Sequence, residues 1–360
     1  MEVAPLLIVA PRLPPRACGI GTYAWQLNQH WPRDGAANQF LVFADAAASR
    51  EHLRTERIRE FPAEARGFAG VLEQSGAADV LLHYAGRAYH RFGFPRWMPR
   101  AFAAWRNRDA SRRLHVMFHE LPADLPLFSK QGILQRLSFP VARALAEQAA
   151  TTITNSAHHA AVLNRWKLRS EVRWMPVPSN IPAPAERTEQ PQDGEFVIFG
   201  LPYTRLQTLR EFSDAIRSWS ESRRLTRLHL VGPRDFKFSP QADALLAEML
   251  PRDVVVEHGE LEPAQVSRAF HGAEFCLSSS NELTWSKSGT FMAYAAHGCA
   301  VVAPRSFSAE PLAFTIARED VTAITAHAAE AKGEQLRRWY GENAQWESIA
   351  NRVAAIVQRK

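Results

Sequence analysis

The segment Ser286-Lys-Ser-Gly-Thr290 combines hydroxyl side chains, a glycine and a lysine in one short turn. An apolar run that predicts a strand, Glu274–Leu277, lies before it, and a segment with the composition of a buried helix follows. Backbone N–H groups at a helix N-terminus favour a phosphate, and Lys287 adds a full positive charge. The turn therefore predicts a diphosphate site of Ser286, Lys287, Ser288, Gly289 and Thr290, with an ordinary capped turn as the alternative. Glu282, just before the turn, would accept two hydroxyls of a ribose or sugar.

Gly19 and Gly21 lie in a second glycine turn, after the apolar run Leu6–Ala10 and at the start of a predicted helix. A glycine turn at this place favours a phosphate or another anion. The same residues fit the dinucleotide fingerprint GxGxxA, with Asp45 as the ribose-binding acid. In that fingerprint the first glycine follows the strand directly, whereas here eight residues with three prolines intervene. We therefore favour phosphate or donor contact over nicotinamide binding, and a purely structural turn stays open.

Polar residues end two neighbouring predicted strands of the first half. His119 and Glu120 follow the strand Leu114–Phe118, and His83 and Tyr84 end the preceding strand. Because the carboxyl ends of parallel strands face the ligand crevice of an open sheet, we expect these side chains to contact substrate. The alternative for each histidine is a structural role with satisfied hydrogen bonds.

The positive charge of the sequence, formally +6, is concentrated between Arg87 and Arg113. That stretch contains eight arginines and one acid, Asp109, interleaved with aromatic residues. A solvated helix face with inward aromatic rings is one interpretation. A site for an anionic acceptor or an anionic membrane surface is the functional one. No recognised nucleic-acid motif is present, so we expect no nucleic-acid partner.

Apolar runs rich in Val, Ile, Leu and Phe alternate with helical periodicity along the chain, which predicts parallel strands and their crossover helices. The predicted strands are Leu6–Ala10, Gln39–Ala44, Asp79–Tyr84, Leu114–Phe118, Thr151–Asn155, Val172–Met175, Phe196–Gly200, Leu228–Val231, Val254–Glu257, Glu274–Leu277 and Ala300–Ala303. The clearest predicted helices are Ile20–Trp31, Pro95–Asn107, Gln131–Ala149 and Ser156–Trp166 with Ser156 as N-cap.

A proline-rich stretch, Pro176–Pro184, and the polar residues after it predict a domain boundary. We expect an N-terminal Rossmann-like domain over residues 1–184, a second over 195–332, and a closing helix over 333–360. Three scattered cysteines argue against a disulfide framework, and the N-terminus lacks a basic export leader. A cytoplasmic protein, peripheral at most to the inner face of a membrane, is the expectation.

Four motifs together resemble the GT-B glycosyltransferases, especially the retaining family-4-like type. They are Cys18–Tyr23, Phe118-His119-Glu120, Phe199-Gly200 through Arg205, and Ser286–Ala303. The resemblance implies an α/β fold of two Rossmann-like α/β/α domains that face each other across a cleft, with a C-terminal closing helix. The sequence departs from the family pattern at two places. Ala293 occupies the position where a second glutamate is usual, and Leu201 and Pro202 replace the arginine that usually follows Gly200.

The resemblance also implies roles for single residues. His119 would contact the transferred sugar, Arg205 and Lys287 would neutralise the diphosphate, and Tyr23, His83, Tyr84 and Glu120 would lie on the acceptor side. The donor would be a UDP- or GDP-linked sugar, and the acceptor a glycan or a lipid-linked molecule. No Asp-x-Asp motif is present, so we expect no metal and no cofactor, and by analogy retention of configuration. A non-catalytic GT-B-like binding or scaffold protein is the alternative.

Overall fold

The computed structural model describes residues 6–16, 18–32, 38–121, 130–187 and 189–358, and of residues 130–135 it describes the backbone alone. The chain forms two compact units. The first comprises Met1–Met175 together with Trp346–Lys360, and the second comprises Pro176–Gln345. The predicted boundary after residue 184 therefore lies inside the second unit, because the proline-rich stretch packs there: Val177 N–H donates to the Ser286 carbonyl (2.9 Å).

The described residues of the first unit form a seven-stranded parallel sheet in the order β3-β2-β1-β4-β5-β6-β7. Its strands are β1 Leu7–Ala10, β2 Gln39–Val42, β3 Ile58–Glu60, β4 Asp79–Tyr84, β5 Arg113–Phe118, β6 Thr151–Thr154 and β7 Val172–Trp174. Residues of β1 are fully buried, as expected for a parallel sheet covered on both faces. The strand order reverses between β1 and β4, which is where open α/β sheets place their crevice.

Helices connect these strands. They are α1 Gly19–Gln29, α2 Ala46–Leu53, α3 Ala65–Gln74, α4 Gly86–Tyr89, α5 Trp97–Arg106, α6 Lys130–Gln148 and α7 Ala157–Arg165. Ser156 caps α7 as predicted, because its side chain accepts a hydrogen bond from the His159 N–H (3.4 Å). Helix α3 packs on α5 through Phe68, whose ring meets those of Trp97 and Phe102 edge-on.

In the described part of the second unit, six parallel strands follow the order β10-β9-β8-β11-β12-β13. They are β8 Gln192–Phe199, β9 Arg227–Val231, β10 Val255–Gly259, β11 Ala273–Leu277, β12 Val301–Ala303 and β13 Ile316–Ala317. The helices of this unit are α8 Pro202–Glu211, α9 Ser213–Glu221, α10 Ser239–Met249, α11 Pro263–Gly272, α12 Gly289–Ala296 and α13 Ala326–Asn343. The strand order reverses between β8 and β11, so this sheet has its own crevice position.

The C-terminal segment, predicted as one closing helix, forms two helices. Helix α13 belongs to the second unit, and α14, Trp346–Val357, belongs to the first. Trp346 lies 5.1 Å from Tyr23 of α1 between ring centroids, so α14 packs on the helix that follows the first glycine turn. The last two residues of the predicted helix lie outside the described part of the chain.

Candidate functional site

A cavity of about 540 Å³ lies in the second unit, at the carboxyl ends of three neighbouring strands. Gly200 follows β8, Gly232 follows β9 and Glu260 follows β10, and all three line it. The other lining residues are Asn180, Ile181, Phe199, Leu201, Thr204, Val231, Pro233, Leu261, Val266, Lys287, Ser288, Gly289 and Thr290. The cavity is therefore largely apolar, and its lining also includes one glutamate, Glu260, one lysine, Lys287, and a group of hydroxyl and backbone N–H donors.

Two glycines that line this cavity allow the strand ends to pack closely. Gly200 and Gly232 have φ angles of 133° and 134°, a region that other residues rarely adopt. A Cβ atom on Gly232 would lie 2.1 Å from the Gly200 carbonyl oxygen, and one on Gly200 would lie 2.8 Å from the Thr290 hydroxyl. Both strand ends therefore require glycine in order to approach each other and the start of α12.

Hydrogen bonds fix the N-terminus of α12 beside the end of β8. The buried Tyr294 hydroxyl accepts from the Phe199 N–H (2.8 Å), and the Thr290 hydroxyl donates to the Phe199 carbonyl (3.4 Å). Ser288 caps the helix by accepting from the Phe291 N–H (3.1 Å). Gly289 is exposed at the first helical position, with open space where a Cβ atom would lie. The helix terminus thus presents its N–H groups toward the cavity.

Lys287 lies next to this helix terminus. It ends a short 3₁₀ turn, Trp285–Lys287, its side chain is exposed, and it lines the cavity. Ser286 is buried below the turn, where its carbonyl accepts from Val177. Of the five residues predicted for the diphosphate, the structure therefore places Lys287, Ser288, Gly289 and Thr290 at the cavity and Ser286 beneath it.

Arg205 and Glu282 already have protein partners. The Arg205 side chain is 4% exposed, and its guanidinium donates to Glu257 Oε1 (2.7 Å) and to the Pro233 carbonyl. Glu282 accepts from Arg305 with both carboxylate oxygens, at 2.8 and 3.0 Å. Neither residue lines the cavity. Arg205 instead connects the loop after β9 with β10, and it contacts the site through Pro233.

The first unit brings together three of the predicted polar residues at the ends of β4 and β5. Nδ1 of His83 lies 2.9 Å from Nε2 of His119, and both rings are buried. Their centroids are 5.2 Å apart with planes inclined by 18°, the side-by-side geometry of an in-plane hydrogen bond. The Tyr23 ring meets His119 edge-on at 5.0 Å. Burial lowers the pKa of His83 from 6.5 to about 3, and burial raises the pKa of Tyr23.

The direction of the His83–His119 hydrogen bond follows from the other ring nitrogen of His83. That Nε2 atom is buried and has no hydrogen-bond partner among the residues that the structure describes. If His83 accepted the bond, Nε2 would carry a buried N–H without an acceptor, which folded proteins avoid more strictly than an unpaired acceptor. His83 therefore donates from Nδ1, and Nε2 of His119 is unprotonated.

The other predicted residues of the first unit lie apart from this pair. Tyr84 is buried on the opposite face of β4, because successive side chains of a strand alternate, and its ring packs on Phe118. Glu120 is exposed. Gly19 is exposed at the first position of α1, whereas Gly21 is buried, and a Cβ on it would lie 1.7 Å from the Arg12 carbonyl. Gly21 therefore permits the proline loop to pack on α1.

Sequence reasoning missed the cavity residues after β9 and β10, among them Gly232, Glu260 and Leu261. A signal was available, since Val231-Gly232-Pro233 repeats the strand-then-glycine pattern of Phe199-Gly200. Tyr294, which fixes the end of β8, had no signal beyond its place in an apolar helix.

No family model matches this sequence, and no curated protein matches it either. Solved structures do resemble it over nearly the whole chain. A sucrose-phosphate synthase from Thermosynechococcus elongatus has a TM-score of 0.67 at 15% identity, covering 98% of each chain. HepE from Anabaena, solved with UDP and glucose, has a TM-score of 0.66 at 12% identity, covering 99% of this chain and 100% of that one.

The apo form of WaaB, a lipopolysaccharide outer core galactosyltransferase, has a TM-score of 0.60 at 11% identity, covering 98% of each chain. At these identities the likeness concerns the fold. The chain has the GT-B fold, and the prediction of two Rossmann-like α/β units is confirmed. Across the residues that the structure describes, no helix combines the length and the apolar character needed to span a membrane.

Proposed function

We propose that this protein is a glycosyltransferase that transfers a sugar from a nucleotide-sugar donor, and that the second unit binds the donor. The observation that carries the proposal is the cavity at the ends of β8, β9 and β10, where the α12 N-terminus and Lys287 meet an apolar wall. A nucleoside diphosphate fits this cavity. The flat faces of its base are largely apolar and suit the apolar lining, and its anionic diphosphate suits the helix N-terminus and Lys287.

Solved neighbours of the same fold support this assignment. HepE is described in complex with UDP, with UDP and glucose, and with UDP-glucose. WaaB is described as a galactosyltransferase. The fold alone does not determine the reaction, so the cavity carries the assignment and the neighbours support it.

The reaction requires a nucleoside diphosphate to leave the anomeric carbon, and negative charge then accumulates on the leaving phosphate. The N–H groups of Gly289 and Thr290 and the ammonium of Lys287 would stabilise that charge, whereas the Ser288 N–H already donates to the Trp285 carbonyl (3.1 Å). We propose a reaction without a metal and with retention of configuration, in which His119 orients the sugar of the donor. The acceptor is a glycan or a lipid-linked molecule, and the base is uracil or guanine.

A non-catalytic nucleotide-sugar binding protein is the second candidate. Ala293 occupies the position of the family's second glutamate and is completely buried. The carboxylate of Glu282 and the guanidinium of Arg205 both have protein partners. This candidate predicts donor binding in the same cavity without release of nucleoside diphosphate.

A thermal-shift panel of UDP, GDP, ADP, dTDP and NAD, followed by donor hydrolysis with the matching sugar nucleotide, tests both candidates. A nucleotide present at about 100 times its Kd raises stability by about 2.7 kcal/mol. We expect UDP or GDP to give the largest shift, and we expect slow hydrolysis of the matching sugar nucleotide to its nucleoside diphosphate and free sugar. A thermal shift with NAD alone would contradict the proposal. Binding of the sugar nucleotide without release of nucleoside diphosphate would favour the non-catalytic candidate.

Peripheral contact with an anionic membrane, through the Arg87–Arg113 region, belongs to the same proposal. A cytoplasmic enzyme that acts on lipid-linked acceptors would gain access to them in this way.

A further inference from the structure

The eight arginines between Arg87 and Arg113 separate into two groups in the structure. Four of them have partners within the first unit. Arg112 donates to both carboxylate oxygens of Glu73 (2.7 Å each), and Arg108 lies 3.5 Å from the same carboxylate. Arg113 donates to Asp79 (2.6 and 2.8 Å), and Arg106 donates to the Gln148 carbonyl (2.7 Å). These four arginines join α3, α5, α6 and the sheet through hydrogen bonds and ion pairs within the unit.

The other four, Arg87, Arg91, Arg96 and Arg100, are all exposed. None of them forms a side-chain hydrogen bond or an ion pair with any residue that the structure describes. Four unpaired arginines within fourteen residues of chain create a local positive potential that an anionic partner would neutralise.

Two of the four arginines contact aromatic rings, and the other two lie close to them along the chain. The Arg91 guanidinium lies 4.6 Å from the Phe92 ring centroid, and the Arg96 guanidinium lies 5.5 Å from that of Phe94. The rings of Phe92 and Phe94 stack at 6.0 Å with planes 15° apart. Arg87 of α4 lies beside Gly93, since a Cβ atom on Gly93 would lie 3.4 Å from Cγ of Arg87, and Arg100 lies one helical turn after Arg96. Phe92 itself is 42% exposed.

We infer that this arginine–phenylalanine surface, made of Arg87, Arg91, Phe92, Arg96 and Arg100, docks on an anionic lipid bilayer. The arginines would contact lipid phosphates, and the exposed ring of Phe92 would enter the boundary between headgroups and acyl chains. The membrane contact is confined to residues 87–100, because the arginines from 106 to 113 bind partners within the unit.

The same observations disfavour a single-stranded nucleic acid as the occupant. Nucleic-acid binding of this kind uses aromatic faces on which bases stack. Here Arg91 lies over Phe92, and the Phe92 ring also stacks with Phe94, so its faces have partners. A bilayer needs no free aromatic face, since the edge of the ring is sufficient for insertion.

Vesicle sedimentation with the full chain tests this inference, using vesicles that contain phosphatidylglycerol and vesicles of phosphatidylcholine alone. The main variant is R87Q/R100Q, because neither arginine stacks on a ring and the aromatic cluster stays intact. Each basic residue near an anionic surface contributes about 1 kcal/mol, or about fivefold in partitioning. We therefore expect the double variant to partition roughly 25-fold less strongly into anionic vesicles.

The matched control is R165Q/R169Q, which removes two exposed arginines of the same unit that have no ion pair with any described residue. Its partitioning should stay close to that of the unaltered protein. F92S, which keeps all charges, should lower partitioning several-fold, and circular dichroism should show that each variant is folded. Equal losses in both double variants would overturn the inference, as would equal binding to uncharged vesicles.

A nucleic-acid arm uses a single-stranded oligonucleotide at the same ionic strength. Oligonucleotide binding that R87Q/R100Q abolishes, together with absence of vesicle binding, would assign the surface to nucleic acid instead. The measurement involves no turnover and no nucleotide, so its outcome is separate from that of the proposed transferase activity.

Discussion

Lys287 and Lys237 are both exposed lysines of the second unit, but only Lys287 lines the cavity. Lys237 instead lies over the ring of Phe238 (4.6 Å). K287A should lower the rate of nucleoside diphosphate release by on the order of 10², because the variant loses a cation that stabilises the leaving group. K237A removes the same charge and should leave the rate nearly unchanged. Initial rates of donor hydrolysis compare the two variants, and similar rates would remove Lys287 from the site.

The proton shared by His83 and His119 belongs to His83, and this assignment can be tested. Since His83 donates from Nδ1, long-range ¹H–¹⁵N NMR spectra should show Nε2 of His119 unprotonated. H83N keeps a donor near the same position and should preserve that tautomer. H83L removes the donor and should let His119 populate its other tautomer. A protonated Nε2 in the unaltered protein would contradict the assigned direction of the bond.

Burial of neutral histidines also makes stability depend on pH. The folded-state pKa falls from 6.5 to about 3 for His83 and, through burial, to about 4 for His297. The unfolded chain therefore binds more protons below pH 6.5, and the free energy of unfolding decreases as pH falls from there. Each histidine should cost about 2 kcal/mol between pH 7 and pH 5.

Urea denaturation at the two pH values measures this loss. H83N lacks the titrating ring, so the pH dependence of the first unit should become flatter, while that of the second unit, which contains His297, stays the same. An unchanged slope in H83N would show that His83 is not the titrating group.

At the scale of elements, the ends of β8 and β9 depend on glycine. G232A would place a methyl group 2.1 Å from the Gly200 carbonyl at a φ of 134°, and we expect a loss of about 1–3 kcal/mol. The displaced strand end should also reduce the thermal shift given by the bound nucleotide. G272A, at the end of α11 where nothing lies within 4 Å, is the control and should change stability by less than about 1 kcal/mol. Equal effects of the two substitutions would contradict this account.

Element prediction from the sequence found most of the strands and missed two short ones at the sheet edges. All the strands predicted from apolar runs are present, with ends that differ by a few residues. The two missed strands are short edge strands: β3 has one buried residue, Ile58, and β13 has only two residues. A strand of two or three residues offers too few positions for a recognisable apolar run or alternation, even where its residues are buried, as in β13.

Side-chain contacts between residues that lie far apart in the chain could not be predicted from the sequence. Arg205 follows the first strand of the second unit, as a diphosphate ligand would, but its partner Glu257 lies 52 residues further along the chain. Likewise His83 and Tyr84 were grouped by adjacency, although they lie on opposite faces of β4. The turn Lys287–Thr290 was predictable because its donors are local to one helix terminus.

At the scale of the whole molecule, the chain leaves the first unit after Met175 and returns to it at Trp346. The helical periodicity of residues 334–358 continues across this return, which explains why the sequence predicted one closing helix. Helix α13 ends at Asn343 and α14 begins at Trp346, so the break falls at Ala344 and Gln345.

Two tryptophans seven positions apart test this division. Trp346 is 8% exposed and packs on Tyr23 (5.1 Å) in the first unit, whereas Trp339 packs on Trp285 (5.4 Å) in the second. W346A should destabilise the first unit by about 3 kcal/mol, because truncating a buried aromatic ring leaves a cavity. Hydrogen exchange should then increase in β1, β4 and β5, while the strands of the second unit keep their protection.

W339A is the matched control and should have the reverse effect, with faster exchange in the second unit and an unchanged first unit. The half-buried position of Trp339 predicts a smaller loss than for Trp346. If both substitutions increased exchange in the same set of strands, residues 334–358 would act as one helix on one body. The assignment of α13 to the second unit and of α14 to the first would then be wrong.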